Sequence, residues 1–378
     1  MDESIFLPHS GAMENLEHLA PRHFTPLPAG TSGPSAYLNT ASTGLLPTAS
    51  VAAMTAAVSA AATSGSSGPD LFAAVEDVRA AYARIVGVSA GRVAMGGSVA
   101  VYCGLVAQSL PSGSEVLVAE GDFSSLVNPF HVRADTRGDV RVRTVPLEKL
   151  ADSVGPATAL VAVSAVQSAD GRIADLAAIG AAARAHGART LVDVSQAVGW
   201  YPVDAAAHDY TVCVGYKWLM CPRGTAFLTV PEGPGELDAL YPVFAGWVGG
   251  EEPGASTYGR VEQLALSARR FDEAPSVFCY PAARTSLALV EELGIERIGA
   301  HDRALADRFR AGLAALGHTP VAAEGSVIVS VPGLEHAAER VAAAGVRVSP
   351  RAGNLRAAFH LYNSAADVDR LLEVLERV

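Results

Sequence analysis

Lysine and long apolar runs are the features that this sequence of 378 residues most clearly lacks. Only Lys149 and Lys217 are lysines, so arginine carries almost all of the positive charge. The formal net charge is −11, which argues against a nucleic-acid partner because phosphate binding draws on clustered lysine and arginine. No apolar run approaches membrane-spanning length, so no membrane partner is expected.

The sequence also lacks the cysteine and histidine patterns of disulfide or metal proteins. Its four cysteines form no CxxC unit and no paired spacing with histidine, as expected of reduced thiols. The ten histidines are scattered, so no metal site is expected. Residues 1–24 are acidic and interrupted by proline and glycine, without the apolar core of a signal peptide. These features predict a cytoplasmic protein.

Lys217 is therefore of interest, because arginine cannot replace a lysine amine in Schiff-base chemistry. It follows an apolar run, residues 210–215, that is typical of a buried strand, and residues 191–194 form a similar run that contains Asp193. Functional groups gather at the carboxyl ends of parallel strands, so Asp193 and Lys217 are expected to face one pocket. A cofactor with a protonated ring nitrogen and an aldehyde satisfies both side chains, which describes pyridoxal 5'-phosphate (PLP).

Hydrophobic periodicity predicts alternating strands and helices along the rest of the chain. The first 36 residues are predicted to be an irregular arm. Half of the residues are hydrophobic, enough for a large core and a second, smaller lobe. The predicted helices cover residues 47–61, 71–85, 281–316, 334–344 and 366–378, and the predicted strands include 115–120, 140–147, 159–166, 326–331 and 355–361.

The run VDVSQAVGWYPVD, followed by GYKWLMCPRGTAFL, resembles the class V aminotransferase family of fold type I PLP enzymes, and in particular its kynureninase and isopenicillin-epimerase-like branch. Residues 37–44 and 355–369 resemble the opening and closing segments of the family. The resemblance implies an α/β fold in which a large domain holds a mostly parallel sheet flanked by helices, with a smaller C-terminal α/β domain. It also implies a homodimer. The expected divisions are an arm at 1–45, the PLP-binding domain at 46–280 and the small domain at 281–378.

The resemblance assigns the cofactor phosphate to the start of a helix. Gly97, Ser98 and Val99 stand at the junction of a short strand and an apolar helix, which presents backbone N–H groups to an anion. An ordinary helix cap by Ser98 is the alternative. Tyr216 resembles the kynureninase tyrosine that reaches the phosphate. Val214 and Ala274 depart from the family, which often has a phosphate-binding serine and threonine there. At Val214 the phosphate site is expected to depend more on Ser98, Tyr216 and a neighbouring subunit. At Ala274 either Ser276 or Arg270 compensates, or the phosphate site is weaker.

The resemblance also assigns the residues around the cofactor ring. Asp193 is the partner of the pyridinium nitrogen, Gln196 the hydrogen-bond partner of the phenolic oxygen and Lys217 the Schiff-base lysine. Phe123 matches a phenylalanine that stacks on the ring, although packing in the core is an alternative for an aromatic residue just past a strand. Because a phenyl ring carries no proton, Lys217 is expected to do most of the proton transfer.

Arg356, Ser168 and Trp247 are the expected substrate-binding residues. Arg356 stands where relatives keep an arginine for the substrate carboxylate, which its two-donor fork suits, and a surface ion pair is the alternative. Loop capping for Ser168 and structural packing for Trp247 also stay open. The expected partner is a small amino-acid-like molecule.

The reaction after removal of the Cα proton is not determined by the sequence. Aminotransferase activity is placed first because the family carries that name, followed by a C–S or C–C lyase or hydrolase similar to kynureninase, or an epimerase. A non-catalytic binding module is a remote alternative, supported only by the departures at Val214 and Ala274. No cysteine lies between Thr319 and Arg356, which argues against the persulfide chemistry of cysteine desulfurases.

Overall fold

A mixed sheet of seven strands forms the centre of the computed structural model, which describes residues 16–28, 35–65, 69–233 and 235–377. In chain order the described strands are β1 Ala36–Tyr37, β2 Val93–Gly96, β3 Glu115–Ala119, β4 Arg141–Val145, β5 Thr158–Ser164, β6 Arg189–Asp193, β7 Tyr210–Val214, β8 Ala226–Thr229, β9 Ile328–Pro332, β10 Val346–Arg347, β11 Ser349–Arg351 and β12 Asn354–Ala358.

Helices cover the sheet and fill the C-terminal part of the chain. The described α-helices are α1 Leu16–His23, α2 Thr48–Ser64, α3 Pro69–Ile85, α4 Val99–Ser109, α5 Ser124–Arg137, α6 Leu150–Ser153, α7 Leu176–His186, α8 Cys279–Leu293, α9 Ile295–Ala315, α10 Ala338–Ala343 and α11 Ala365–Leu375. Local chemistry sets several ends. The Asp175 side chain accepts from Ala178 N at the start of α7, and Gly187 closes that helix with φ 69°.

The strand order of the large sheet is β2-β8-β7-β6-β5-β3-β4. The strands β4, β3, β5, β6 and β7 pair in parallel, and only β8 runs antiparallel to its neighbours β2 and β7. Strands β3, β5, β6 and β7 are almost wholly buried, as their continuous apolar sequences require of a sheet covered on both faces. The predicted fold class, an α/β protein with a mostly parallel sheet flanked by helices, is confirmed.

The position of Asp193 and Lys217 follows directly from this sheet. Asp193 is the last residue of β6, and Lys217 lies three residues beyond the last residue of β7, the neighbouring parallel strand. Both side chains therefore emerge at the same edge of the sheet, at the carboxyl ends of its strands.

A smaller antiparallel sheet, in the order β11-β12-β9, forms the C-terminal part of the chain. Its core includes Phe309 of α9, Leu355 of β12 and Leu371 of α11. β1 pairs in parallel with β10, so residues near the start of the chain are joined to this C-terminal part. Arg356 is the third residue of β12, a strand that begins one residue before the predicted start at residue 355.

Two further expectations differ from the observed elements. The first 36 residues are not irregular throughout, because α1 forms where Leu16 becomes buried in the main core. Residues 1–15 and 29–34 of the expected arm lie outside the described residues. The domain division at residue 281 stays a prediction, although α8, which straddles it, packs on α2 and α3 of the large part.

Candidate active site

Lys217 and Asp193 form a buried pair of opposite charge at the carboxyl edge of the sheet. Lys217 is 6% exposed and Asp193 is 4% exposed. Burial lowers the pKa of the Lys217 amine, and the Asp193 carboxylate acts against this shift. Burial likewise raises the pKa of Asp193, which the charge of Lys217 and hydrogen bonding by Ser195 oppose. The arrangement favours a lysine that loses its proton more readily than a surface lysine, beside a carboxylate held away from water.

Phe123 lies over this lysine. Its ring centroid is 5.2 Å from Lys217 Nζ, and the residue is 39% exposed, so it faces the site and is not part of the core. Asp122, which sequence reasoning missed, holds the turn: its Oδ1 accepts from Phe123 N at 2.7 Å and its Oδ2 accepts from Ser164 N at 2.8 Å. The Gly-Asp-Phe order was the only sequence signal for this role of Asp122, because its partner Ser164 on β5 is 42 residues away.

Arg356 is a buried cation that has no acidic partner among the described residues. It is 2% exposed, donates to the carbonyl of Ser168, and donates from Nη2 to Ser42 Oγ at 2.8 Å. Its Nε has no hydrogen-bond partner among the residues that the structure describes. Burial and the charge of Arg351 lower the pKa of Arg356 to about 10, so the side chain is charged at neutral pH. A buried guanidinium with an unused donor fits a carboxylate.

The charge of Arg356 also acts on the lysine site, because it contributes to the lowered pKa of Lys217. Ser168 takes part through its backbone carbonyl, which orients the guanidinium. The adjacent Gln167 donates to Asp122 Oδ2 at 3.2 Å. Arg356 and Ser168, which are expected at the substrate end, are thus linked through Gln167 to the turn that carries Phe123.

The expected phosphate site at the start of α4 is already in contact with a carboxylate. Gly97 N donates to Glu273 Oε2 at 2.6 Å, so this N–H is not free as the sequence suggested. Ser98 caps α4 by accepting from Val101 N at 3.4 Å, as in the alternative interpretation. The Val99 side chain is 3% exposed and packs in the core, so only its backbone is available to a phosphate. Glu273 was missed because it is 176 residues away from Gly97.

The Gln196 side chain already makes two hydrogen bonds within the protein. Its Nε2 donates to Ala41 O at 2.9 Å and its Oε1 accepts from the Trp218 indole at 2.8 Å. One N–H of the amide is left for the cofactor oxygen that the sequence assigned to it, because a primary amide has two such donors. Its observed contacts fix the chain beside Lys217, and its role toward the cofactor stays a prediction.

Tyr216, the residue before Lys217, is in contact with an arginine that the sequence analysis did not consider. The Arg223 guanidinium carbon lies 4.1 Å from the centroid of the Tyr216 ring. Neither proposed replacement for the phosphate contacts is seen at Gly97. Arg270 pairs with Asp238 at 2.8 Å, and Ser276 lies beside Gly224.

Trp247 packs on helix α3. Its ring meets Phe72 of α3 edge to face, with centroids 5.9 Å apart. Both rings line a cavity of about 370 Å³ that also includes Val75, Arg269 and Pro275. Lys217 is not among the residues that line this cavity, and the expected contact of Trp247 with the substrate stays a prediction.

The backbone that carries Lys217 is held by contacts from distant parts of the chain. Gly44 N donates to Tyr216 O at 2.9 Å. His360, fully buried, lies 2.9 Å from Trp218 O through Nε2 and 2.9 Å from Asp302 Oδ2 through Nδ1. A carbonyl only accepts, so Nε2 is the donor. These bonds fix the position of the lysine from both lobes.

The motif order and this geometry agree with the comparison to known proteins. Residues 36–371 match the aminotransferase class-V family. The chain belongs to this family. It is 31% identical over 247 residues to a kynureninase of Deinococcus radiodurans, a match that covers 64% of this chain and 59% of the relative. It is 29% identical to an isopenicillin N epimerase of Streptomyces clavuligerus, over 79% of this chain and 83% of the relative.

The fold also resembles solved structures at lower sequence identity. A cystine C–S lyase in complex with its product cysteine persulfide superposes with a TM-score of 0.81 at 23% identity, over 90% of this chain and 97% of the other. The cysteine desulfurase of Thermococcus onnurineus NA1 gives 0.79 at 22%, over 91% and 94%. These likenesses confirm the predicted fold. Over the described residues no helix is long and apolar enough to cross a membrane.

This family membership makes the protein a PLP-dependent enzyme, as predicted. The residues fit the cofactor at the ring end, where a buried carboxylate, an exposed aromatic face and a lysine amine converge. Bound PLP withdraws electrons from the Cα of an attached amino acid. At the phosphate end the fit is weaker, because Glu273 places a negative charge at the start of α4. Individual cofactor contacts stay predictions.

Proposed function

We propose that the protein binds a free α-amino acid through Arg356 and removes its Cα proton with Lys217. The observation that carries this proposal is the buried Arg356 guanidinium, whose Nε has no partner in the described part of the chain and whose charge acts on Lys217. A substrate carboxylate compensates for the cost of keeping this cation out of water. Asp193 stabilises positive charge beside the lysine, and Phe123 covers the amine without competing for its proton.

We place cleavage of a bond beyond Cα first among the reactions. The matched relatives described above are named kynureninase and isopenicillin N epimerase, not transaminase. The charged groups that act on Lys217 include Asp193, Arg356 and Arg223, and the Cys213 thiol also lies in this environment. Guanidinium groups do not exchange protons near neutral pH, and burial raises the pKa of the Cys213 thiol. A leaving group that is stable as an anion, such as sulfur, needs no further proton donor, so a C–S lyase reaction suits this site.

Transamination is the second candidate. It moves one proton from Cα to a neighbouring carbon, and a single base is sufficient for both transfers. Lys217 is such a base, and Phe123 leaves it without a competing acid or base on that face. The site therefore meets the minimum requirement of the aminotransferase reaction that the sequence analysis placed first.

The experiment that separates these reactions is a titration of the purified holoenzyme with a panel of amino acids, without a keto-acid acceptor. Absorbance reports the state of the cofactor, and mass spectrometry identifies the products. Continued release of ammonia with sulfide, a thiol or a carbon fragment indicates a lyase or hydrolase. One equivalent of keto acid with an aminated cofactor indicates a transaminase. If no amino acid changes the cofactor spectrum, the proposed function is wrong.

We also propose that the protein acts as a homodimer. Large hydrophobic side chains are concentrated on the surface of residues 241–266, where the exposed residues are Tyr241, Val243, Phe244, Trp247, Tyr258 and Leu266. Apolar exposure on this scale is typical of an interface between subunits. Light scattering after size-exclusion chromatography tests this, and a monomer mass at micromolar concentration would contradict it.

A further inference from the structure

Arg223 is held at the edge of the active site on a short, fixed segment between β7 and β8. Pro222 before it is buried, and Gly224 after it has φ +96°, a conformation that side-chain-bearing residues rarely adopt. The Arg223 carbonyl accepts from Cys279 Sγ at 3.0 Å. The backbone is therefore fixed, whereas the Arg223 side chain is exposed to solvent.

Two contacts orient the Arg223 guanidinium. It stacks on the ring of Tyr216 at 4.1 Å, and its Nη2 donates to Thr43 Oγ1 at 3.0 Å. An arginine has five N–H donors in a planar fork, so most of them are left for another acceptor. Stacking and one hydrogen bond hold the side chain in place before such an acceptor arrives.

No carboxylate of the described residues pairs with Arg223. This is notable in a chain with a net charge of −11, in which many arginines have acidic partners. Arg84 pairs with Glu291 at 2.7 Å, for example, and Arg143 pairs with Glu115 at 2.9 Å. Arg223 therefore resembles Arg356, because both are oriented by hydroxyl or carbonyl groups and neither is neutralised.

The two arginines approach the same short segment of chain. Ser42 Oγ accepts from Arg356 and the neighbouring Thr43 Oγ1 accepts from Arg223. The charges of both arginines also act on the Lys217 amine. Both arginines thus lie at this segment beside the reactive lysine, with Arg356 buried and Arg223 exposed to solvent.

We propose that Arg223 binds a second carboxylate of the substrate, at the end remote from the α-carboxylate that Arg356 receives. This inference rests on the proposed function, and it narrows the substrate class to α-amino acids whose side chain ends in an acid. The exposed position of Arg223 suits a long substrate side chain, because its terminal acid then lies nearer to solvent than the α-carboxylate at the buried Arg356. The cofactor phosphate is the other anion that Arg223 could contact through its neighbour Tyr216, and the experiment separates the two.

The test compares matched acid and amide ligands of the holoenzyme. The pairs are L-glutamate with L-glutamine, S-carboxymethyl-L-cysteine with S-carbamoylmethyl-L-cysteine, and S-(2-carboxyethyl)-L-cysteine with its amide. Apparent Kd values come from the change in cofactor absorbance. For at least one pair we expect the acid to bind about tenfold or more tightly than the amide, because a hydrogen bond between charged groups is stronger than a neutral one. Arg223→Gln should remove this difference, and Arg223→Lys should keep part of it.

The affinity of the apoprotein for PLP is the second readout. We expect Arg223→Gln to leave this Kd unchanged within about twofold. A loss of PLP affinity without a change in the acid-to-amide ratio would assign Arg223 to the phosphate and overturn the proposal. Equal binding of acid and amide in every pair would also overturn it while leaving the proposed function intact. A holoenzyme that responds to none of these amino acids would overturn both.

Discussion

The Nζ atom of Lys217 lies 5.2 Å from the centroid of the Phe123 ring. These residues follow two different strands, β7 and β3, and they meet because parallel strands deliver their following loops to one edge of the sheet. Phe123 covers the amine but exchanges no proton, so proton transfer at this face depends on Lys217. The next experiment follows from this dependence and from the scarcity of lysine in the chain.

Lys217→Ala should abolish covalent attachment of PLP. Because only two lysines are present, borohydride reduction of the wild-type holoenzyme should label one peptide, the one that contains residue 217. Turnover should fall by on the order of 10²- to 10⁴-fold, the usual contribution of a positioned acid or base. Peptide mass spectrometry and the loss of the long-wavelength cofactor band measure the effect.

The matched control is Lys149→Ala, which removes the other lysine of the chain. Lys149 is exposed and pairs with the exposed Asp152 at 3.5 Å, so its removal should leave the cofactor band and the rate within about twofold of wild type. A reduced cofactor adduct on the peptide of residue 149 in the wild-type protein would contradict the assignment of Lys217.

Arg356→Ala should weaken amino-acid binding and leave the cofactor in place. A hydrogen bond to a charged group contributes about 1.5–3 kcal/mol, so the apparent Kd should rise about 10- to 100-fold. Spectral titration of the holoenzyme with the best amino acid measures it. Arg351→Ala is the control, because Arg351 is an exposed residue of the adjacent strand β11 and should change the Kd by less than about threefold. An unchanged Kd in Arg356→Ala would remove Arg356 from the site.

The sequence alone was sufficient to predict the main features of the sheet and of the lysine site. Apolar runs identified β6 and β7, and the geometry of parallel strands then brought Asp193 and Lys217 together without further information. The remaining features depend on contacts between distant residues. Nothing local to Gly97 indicates that the Glu273 carboxylate lies on its N–H.

The same limit applies to Trp247 and Arg223. A glycine-rich loop with an aromatic residue is compatible with many positions, and its sequence does not indicate that Trp247 packs on Phe72 of α3. Arg223 stands in a Pro-Arg-Gly turn that reads as ordinary loop sequence. Its role becomes visible only when its stacking on Tyr216 and its lack of a carboxylate partner are seen together.

The reaction of apoprotein with PLP should depend on pH through the Lys217 amine. The neutral amine is the nucleophile, and burial lowers its pKa below the usual 10.5, so the rate should rise with pH and level off before that value. The Asp193 carboxylate favours the protonated amine. Asp193→Asn removes that charge, so the midpoint of the profile should move to lower pH. Stopped-flow absorbance between pH 6 and 10 measures it, under identical PLP conditions for both proteins. A midpoint that stays or moves to higher pH would contradict the coupling.

Gly44→Ala should displace Lys217 through the backbone. A Cβ atom on Gly44 would overlap the carbonyl oxygen of Lys217, which is backbone and cannot move aside cheaply. We expect lower PLP affinity and a lower melting temperature, in an otherwise folded protein as judged by circular dichroism. Gly104→Ala is the control, because a Cβ there meets open space within α4, and alanine in a helix interior stabilises by roughly 0.5–1 kcal/mol relative to glycine. If both variants bind PLP like wild type, the close approach of Gly44 to the lysine segment does not fix the position of Lys217.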